Sequence, residues 1–283
     1  RLWLDKIRAL PDIDHHPLYL AKVLNHVGRH SWTQDNLRDA HLLLEESRDI
    51  AQEMGIAGER RLAEALNWLG LVALLGDRDS EAARPLIEQS LALNQKWGNE
   101  WNVALSTFHL GLVEGNQKHE EEARNLYEKS LSLFKSSGDL FFIARVSLFL
   151  GYWWLEQGNY DRARFCLEER LRIDTEIQFW DGMAEGWRDL GFFYRRTGDH
   201  EEAGRCFAAC LAICREHGLT KANILYELGV SDLHRDDYAA ARRHFTDYFN
   251  LTRDERDGRS VVDLIAALAA VAAGYHQPEQ AAR

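Results

Sequence analysis

One skeleton of small residues recurs along the whole chain at a nearly constant spacing. A glycine returns every 38 to 42 residues, and an alanine takes its place in the last copy. An alanine lies seven residues before six of these seven positions, and a second alanine follows 12 or 13 residues after each. The positions are Gly28, Gly70, Gly111, Gly151, Gly191, Gly229 and Ala269. A fixed period of about 40 residues indicates an array of stacked helical hairpins.

The periodicity inside each copy is helical. Small and apolar residues follow one another at spacings of three or four, as in the series Ala144, Ser147, Leu150, Gly151 and Trp154. Such a series places its members on one stripe of a helix. The small residues allow two helices to approach closely, and the large ones fill the space beside them. One pair of helices has too little core to be stable alone, so neighbouring pairs must stack.

The pattern resembles tetratricopeptide repeats. That signature has Leu-Gly and then an aromatic residue in the first helix, followed by alanine and an aromatic residue in the second. Leu150-Gly151 matches the first part, and Ala203 with Phe207 matches the second. The usual period is about 34 residues, so this chain departs from it by about six. The resemblance implies an all-α, right-handed superhelical solenoid of antiparallel helix pairs. We expect about six full repeats plus partial ends in a single domain over residues 1–283.

Repeats near 40 residues are similar to the sensor arrays of STAND-class signal-transduction ATPases. That class includes the maltotriose-responsive transcription activator. The stretches 84–93 and 268–283 resemble pieces of such regulators. The chain lacks a starting methionine and ends shortly after a helix start signalled by Pro278. We therefore expect a fragment of a larger multidomain protein.

Charge and motifs exclude several classes of function. The formal net charge is -11, whereas a sequence-independent nucleic-acid binder needs a basic stripe. No apolar run approaches the ~20 residues of a membrane span. No phosphate-binding loop, zinc-protease motif or nucleophile elbow is present. We expect no enzymatic activity, no cofactor, no direct nucleic-acid binding and no membrane partner. Four cysteines outside any disulfide framework favour a reducing cytoplasm.

Three of the cysteines share one predicted helix. Cys206, Cys210 and Cys214 are spread over about 12 Å of helix, too far apart for one ion bound at about 2.3 Å. Cys210 falls where other repeats place Ser47 or Ser130. We expect a structural role for these thiols and no metal site.

The resemblance also implies a binding face. In this family the first helices line a concave groove, and the inward stripe is offset by one residue from the packing stripe. It falls six and three residues before the glycine and one and four after it, with the residue two before the glycine at its border. The candidate binding residues are Asn67, Trp68, Phe108, His109, Arg145, Phe149, Tyr152, Arg188, Phe192, Arg195 and Tyr226.

Two chemistries are represented on this face. Aromatic rings can stack on sugars or take apolar peptide side chains, and the arginines suit a carboxylate or a phosphate. The alternative is that the aromatic rings pack between repeats. The arginines would then pair with Glu185, Asp189 or Glu156. The sequence leaves both interpretations open.

Two functional hypotheses follow. The first is the sensor solenoid of a multidomain signal-transduction ATPase or transcriptional regulator. It would bind a small effector or a peptide in its groove and contact other domains of the same chain. The alternative is a scaffold or adaptor that binds a protein partner and takes no small-molecule ligand.

Overall fold

The computed structural model describes residues 13–34, 36–219, 222–252, 269 and 271 of the 283. All regular structure among these residues is helical, which confirms the all-α fold class. The α-helices are α1 Pro17–Thr33, α2 Leu37–Glu53, α3 Glu59–Val72, α4 Ser80–Lys96, α5 Glu100–Asn116, α6 Glu120–Ser137, α7 Leu140–Glu156, α8 Tyr160–Glu176, α9 Trp180–Thr197, α10 His200–Glu216, α11 Ala222–His234 and α12 Tyr238–Thr252. The helix start predicted at Pro278 lies outside the described residues.

The chain divides into two compact units. Unit 1 comprises residues 1–142 and unit 2 comprises residues 143–283. Odd-numbered helices are the first helices of the predicted pairs, and even-numbered helices are the second. The organisation as a single domain stays a prediction.

Within each unit, consecutive helices pack side by side. In unit 1 each of α1 to α5 contacts the next helix, and each of α8 to α11 does the same in unit 2. In unit 1 the first helices also contact one another, α1 with α3 and α3 with α5. These contacts bring the side chains of successive first helices onto one common face.

The recurring glycines mark the closest approach of the two helices in a pair. A Cβ atom on Gly70 would lie 2.4 Å from Cγ1 of Ile87, and one on Gly191 would lie 2.5 Å from Cε1 of Phe207. Real Cβ atoms do not come that close to a neighbour. The space that glycine leaves is therefore filled by a large side chain of the second helix, as the sequence pattern predicts.

A second recurring position lies on the second helices, seven residues after the second alanine. In the first three pairs it holds a buried serine whose hydroxyl donates to the carbonyl oxygen of the first alanine. These bonds are Ser47 to Ala21 at 2.8 Å, Ser90 to Ala63 at 2.7 Å and Ser130 to Ala104 at 2.9 Å. The same position holds Arg170 in the fourth pair and Cys210 in the fifth. Unit 2 therefore breaks a pattern that unit 1 keeps.

The last described pair is covered by a later part of the chain. Val271 is buried against Leu225, Phe245 and Tyr248 of α11 and α12. This contact extends the stacking beyond α12, as the continuing sequence repeat predicts.

Candidate functional site

Within each unit, side-chain contacts join successive first helices. We call these contacts the inner row. The residue two before the repeat glycine takes part in each of the contacts named here. The pairs are Trp68 with Trp32, His109 with Trp68, Asp189 with Tyr152, and Glu227 with Arg195.

In unit 1 the inner row is aromatic and neutral. The ring centroids of Trp32 and Trp68 lie 5.6 Å apart, and those of Trp68 and His109 lie 5.8 Å apart. Asn67 and His109 are each 3% exposed. The Asn67 Oδ1 atom lies 3.3 Å from the His109 Nδ1 atom. Both residues were predicted to line the groove, but their polar atoms are directed at each other and they have almost no exposed surface.

Phe108 corrects the predicted binding face in the same way. It is 2% exposed and packs against the rings of His109 and Tyr127, with centroid distances of 5.7 and 6.0 Å. The Tyr127 ring comes close because Gly111 leaves room for it, since a Cβ there would lie 2.6 Å from Cε1 of Tyr127. Of the four residues predicted in unit 1, Trp68 alone keeps appreciable exposed surface.

In unit 2 the inner row is charged. Asp189 is 1% exposed and accepts hydrogen bonds from the Tyr152 hydroxyl at 3.0 Å and from Arg188 Nη2 at 3.0 Å. It also forms an ion pair with Arg170 of α8. The Asp189 carboxylate is therefore saturated with donors from three helices.

Arg170 is the centre of a buried group of charges, which we call the Arg170 network. Its side chain is 6% exposed. Besides Asp189, it donates to Glu185 Oε2 at 3.0 Å, and its Nε atom lies 3.3 Å from Oδ2 of Asp174. Asp174 is 2% exposed. One second-helix arginine thus connects α8 to two carboxylates of the next first helix.

Two additional glycines on α9 make room for this network. A Cβ on Gly182 would lie 2.6 Å from Cγ of Asp174, and one on Gly186 would lie 3.1 Å from Cδ1 of Leu171. The residues of α8 that follow Arg170 can therefore approach α9 closely.

The network is balanced in formal charge. Arg145 interacts electrostatically with Glu185, Asp174 and Arg170, so three guanidinium groups face three carboxylates. Burial raises the pKa of Asp189, and the neighbouring arginines oppose that shift. A buried ion pair adds little net stability over an apolar replacement, because desolvation offsets the attraction. The network is better suited to fixing side-chain orientation than to stabilising the fold.

Arg145 is the most exposed member of the network. Desolvation is nevertheless the main cause that lowers its pKa. The residue therefore has exposed surface, whereas its guanidinium group lies among the charged groups of the network. Phe149 and Tyr152 lie one and two turns further along α7 and are partly exposed, as is Arg188. We call Arg145, Phe149, Tyr152 and Arg188 the unit 2 binding face.

The remaining three predicted residues pack within their own helix pairs or form an ion pair that the sequence did not suggest. The Phe192 ring meets the Phe207 ring edge-on at 5.4 Å. The Arg195 guanidinium lies 5.2 Å from the Phe192 centroid and pairs with Glu227. Tyr226 packs on the Phe245 ring at 5.6 Å. These residues are half-buried, so they border the face without forming its open part.

Glu156 does not pair with any of the predicted arginines. Its carboxylate accepts from Arg196, whose Nη2 atom lies 2.9 Å from Glu156 Oε2. Arg188 instead pairs with Asp189 and lies 3.9 Å from Glu185. Two of the three carboxylates named as alternative partners are therefore in contact with Arg188.

The cysteines of α10 do not converge on one point. Cys210 and Cys214 pack in a cluster with Phe207 and Ile224, whereas Cys206 packs in a separate cluster with Leu167. Burial raises the pKa of Cys206 to about 12. Among the described residues, no three His, Cys, Asp or Glu side chains are arranged to hold a metal ion.

Comparison with known proteins confirms the resemblance seen in the sequence. Residues 182–254 match the family model described as tetratricopeptide repeat. A search of curated protein sequences gave no match. Within the part of the chain that the structure describes, no helix is both long and apolar enough to cross a membrane.

Three solved structures have similar folds. The first is a Signal Transduction ATPase with Numerous Domains (STAND) protein with a tetratricopeptide repeat sensor from Pyrococcus horikoshii. It has a TM-score of 0.71 and 15% identity, with 90% of this chain and 38% of that chain covered. BtubC from P. vanneervenii has a TM-score of 0.67 and 16% identity, covering 77% and 91%. The quorum sensor NprR from B. thuringiensis, in its apo form, has a TM-score of 0.65 and 13% identity, covering 93% and 72%. At such identities the likeness establishes the fold.

Proposed function

We infer that this chain, whose residues 182–254 match the tetratricopeptide repeat model, is a binding module without catalytic activity. We propose that its unit 2 binding face takes an acidic peptide segment. The observation that carries the proposal is Arg145, an exposed residue at the edge of the Arg170 network and one helical turn from the partly exposed Phe149.

The chemistry of this face favours an anionic group next to an apolar one. A guanidinium fork binds a carboxylate through two parallel hydrogen bonds. The ring of Phe149 offers an apolar surface one helical turn from Arg145, suited to an apolar side chain of the same segment. Because the chain as a whole carries a net charge of -11, an acidic ligand is repelled by most of its surface and repelled less by the charge-balanced Arg170 network.

The Arg170 network gives this face a fixed geometry. Asp189 holds the hydroxyl of Tyr152 and the guanidinium of Arg188, and it is itself held by Arg170. Side chains that are locked before binding lose less conformational entropy when a ligand arrives. Arg170 therefore acts as a positioning residue for the face and has no exposed surface of its own to offer a ligand.

The wider setting that we propose is a sensor within a multidomain cytoplasmic regulator. The fold likeness to a STAND protein with a tetratricopeptide repeat sensor supports this setting, as does the likeness to a quorum sensor. The chain spans 38% of the STAND protein's length, which leaves room for an ATPase core elsewhere. Occupancy would change the contacts with such a core only if the two states of the full protein differ in ligand affinity.

A scaffold without a small ligand is the second candidate. The observation that favours it is Phe165, which lies on the second helix α8 and is 67% exposed. A large apolar side chain so far out of the core can contact a folded partner. Partner binding through α8 would not involve Arg145.

A peptide selection distinguishes the two candidates. Random ten-residue peptides displayed on phage are selected on the purified protein, and the enriched sequences are synthesised and titrated by calorimetry. We expect enrichment of Asp or Glu next to an apolar residue. Arg145→Ala should weaken binding by roughly tenfold, because it removes a charge-assisted hydrogen bond.

The matched control is Arg164→Ala, which removes an exposed arginine from α8. It should leave peptide affinity unchanged. If the selected peptides bind the Arg145→Ala and wild-type proteins equally well, the unit 2 binding face is assigned wrongly. If Phe165→Ala abolishes binding instead, the scaffold is favoured.

A further inference from the structure

A strip of basic side chains on α1 lies apart from the unit 2 binding face. Lys22, His26 and Arg29 follow one another at spacings of four and three residues, so they share one side of the helix. All three are exposed. We call these three residues the α1 strip.

The α1 strip carries positive charge that the rest of the described structure does not neutralise. Among the described residues, neither Lys22 nor Arg29 forms an ion pair with a carboxylate, whereas the neighbouring Arg61 pairs with Glu64 at 2.8 Å. Burial lowers the pKa of His26, and Arg29, Lys22 and Arg61 lower it further. Only Glu64 acts in the opposite direction. The local potential is therefore positive in an acidic protein.

Aromatic rings lie directly beside this charge. The guanidinium of Arg29 is 5.8 Å from the centroid of the Trp68 ring, which contacts the Trp32 ring at 5.6 Å. Both indoles are partly buried against the core formed by residues of α2 and α3, including Leu44 and Leu69. The two rings are thus held in place and keep some exposed surface for stacking.

Asn25 adds an unsatisfied acceptor to the same region. It is 5% exposed, and its amide nitrogen donates to the Arg61 carbonyl oxygen at 3.1 Å. Its Oδ1 atom is buried and has no hydrogen-bond partner among the described residues. A buried acceptor without a donor is costly, and a donor group on a ligand can satisfy it.

We infer that α1 and α3 carry a second binding site in unit 1, for a planar aromatic ring that bears an anionic group. The ring stacks on Trp32 and Trp68, and the anion is bound by Arg29 and Lys22. A donor beside the anionic group reaches Asn25, which lies between Lys22 and Arg29 on α1. A nucleotide and an aromatic carboxylate share this chemistry, whereas inorganic phosphate lacks the ring and a nucleoside lacks the charge.

Calorimetric titration of the whole chain tests the inference with four probes. They are a nucleoside monophosphate, the corresponding neutral nucleoside, inorganic phosphate and naphthalene-2-carboxylate. We expect at least one charged aromatic probe to bind roughly tenfold more tightly than phosphate or the nucleoside, because ring and charge act together. The preference should shrink at high salt. The charged probe that binds identifies the anionic group of the ligand.

Surface variants make the assignment residue-specific. Arg29→Ala and Lys22→Ala should each weaken binding of the preferred probe several-fold, and neither should unfold an exposed strip. Arg38→Ala on α2 removes an exposed arginine outside the strip and should have no effect. The inference is overturned if no charged aromatic probe exceeds phosphate, or if Arg29→Ala and Arg38→Ala behave alike. Arg145→Ala should not change these titrations, so this test stands apart from that of the proposed function.

Discussion

The two units use the same repeat positions for different chemistry. Seven residues after the second alanine, unit 1 has three buried serines, each donating to a backbone carbonyl. Unit 2 has Arg170 at that position in its first complete second helix. Two residues before the repeat glycine, unit 1 has His26, Trp68 and His109, whereas unit 2 has Phe149 and then the two carboxylates Asp189 and Glu227. One scaffold thus carries a neutral inner row and a charged one.

The difference teaches what each row can do. In the neutral row the polar atoms of Asn67 and His109 pair with each other, and both residues are buried. Complete burial of the charged row would desolvate its ions. Its charges are therefore shared among several partners, and Arg145 keeps exposed surface. A charged row therefore loses more stability on substitution, and it is better able to recognise a ligand.

The largest effect should come from the centre of the charged row. Asp189→Asn removes the carboxylate that faces Arg170, and a buried cation without its partner costs about 3–5 kcal/mol of unfolding free energy. Chemical denaturation of the whole chain measures the loss. Arg164→Ala removes an exposed arginine from α8, the helix that carries Arg170, and should leave the midpoint nearly unchanged. A small loss for Asp189→Asn would mean that the network is not what distinguishes unit 2.

The shared skeleton should respond equally in both units. A Cβ on Gly111 would lie 2.6 Å from the Tyr127 ring and one on Gly191 would lie 2.5 Å from the Phe207 ring. Alanine at either site should cost about 1–3 kcal/mol through overpacking, despite its better helix propensity.

Gly204→Ala is the matched control for these substitutions. Its Cβ would meet only the Arg235 side chain at 3.5 Å, so thermal unfolding should show no loss of stability. A loss at Gly191 without one at Gly111 would show that the two units differ in packing as well as in charge.

Acid should affect the two units with opposite sign. Glu114 of unit 1 accepts from Arg84 at 2.5 Å and from His119 at 2.8 Å, and these bonds hold its pKa below 4.5. A lowered pKa in the folded state gives stability that is present above pH 4.5 and is lost as the pH falls through the folded value. Burial raises the pKa of Asp189, so its contribution to the unfolding free energy is largest in acid and falls as the pH rises through the folded pKa.

The corresponding experiment is a pH series on Glu114→Gln. The variant should be about 1–2 kcal/mol less stable than the wild type at neutral pH, and the gap should shrink as the pH falls through the lowered pKa of Glu114. A gap that persists at acid pH would show that the contribution of Glu114 comes from packing and not from its charge.

The smallest effect should come from an ion pair on the surface. Arg196 and Glu156 join α9 to α7, with side chains 47% and 57% exposed. Arg196→Ala should cost less than about 0.5 kcal/mol, and less still at high salt. A larger loss in thermal unfolding would indicate that charge pairs outside the network also distinguish unit 2.

Much of the fold follows from the sequence, because packing repeats with the chain. The recurring glycines and alanines predict the helix pairs and their closest contacts. The equivalence of Cys210 with Ser47 and Ser130 predicts a buried thiol, and Cys210 is 1% exposed. Arg170 was missed, although it occupies this same position. Its partners Glu185 and Asp189 belong to the next repeat, so the ion pairs that neutralise its buried charge are seen only in the structure.

The binding face follows from the sequence less well. Phe108 and Phe149 lie at neighbouring offsets from the repeat glycine, yet one is covered by Tyr127 and the other is partly exposed. The offset predicts the side of the helix on which a residue lies. It does not predict whether a ring from another helix covers that residue.

Hydrogen–deuterium exchange of the whole chain tests the central claim most directly. The chain is measured alone and with a saturating amount of a selected acidic peptide. Our account predicts that protection increases in α7 and α9, which carry the unit 2 binding face, and is unchanged in α8 and α10. Protection confined to α8 and α10, or to the helices of unit 1, would contradict it.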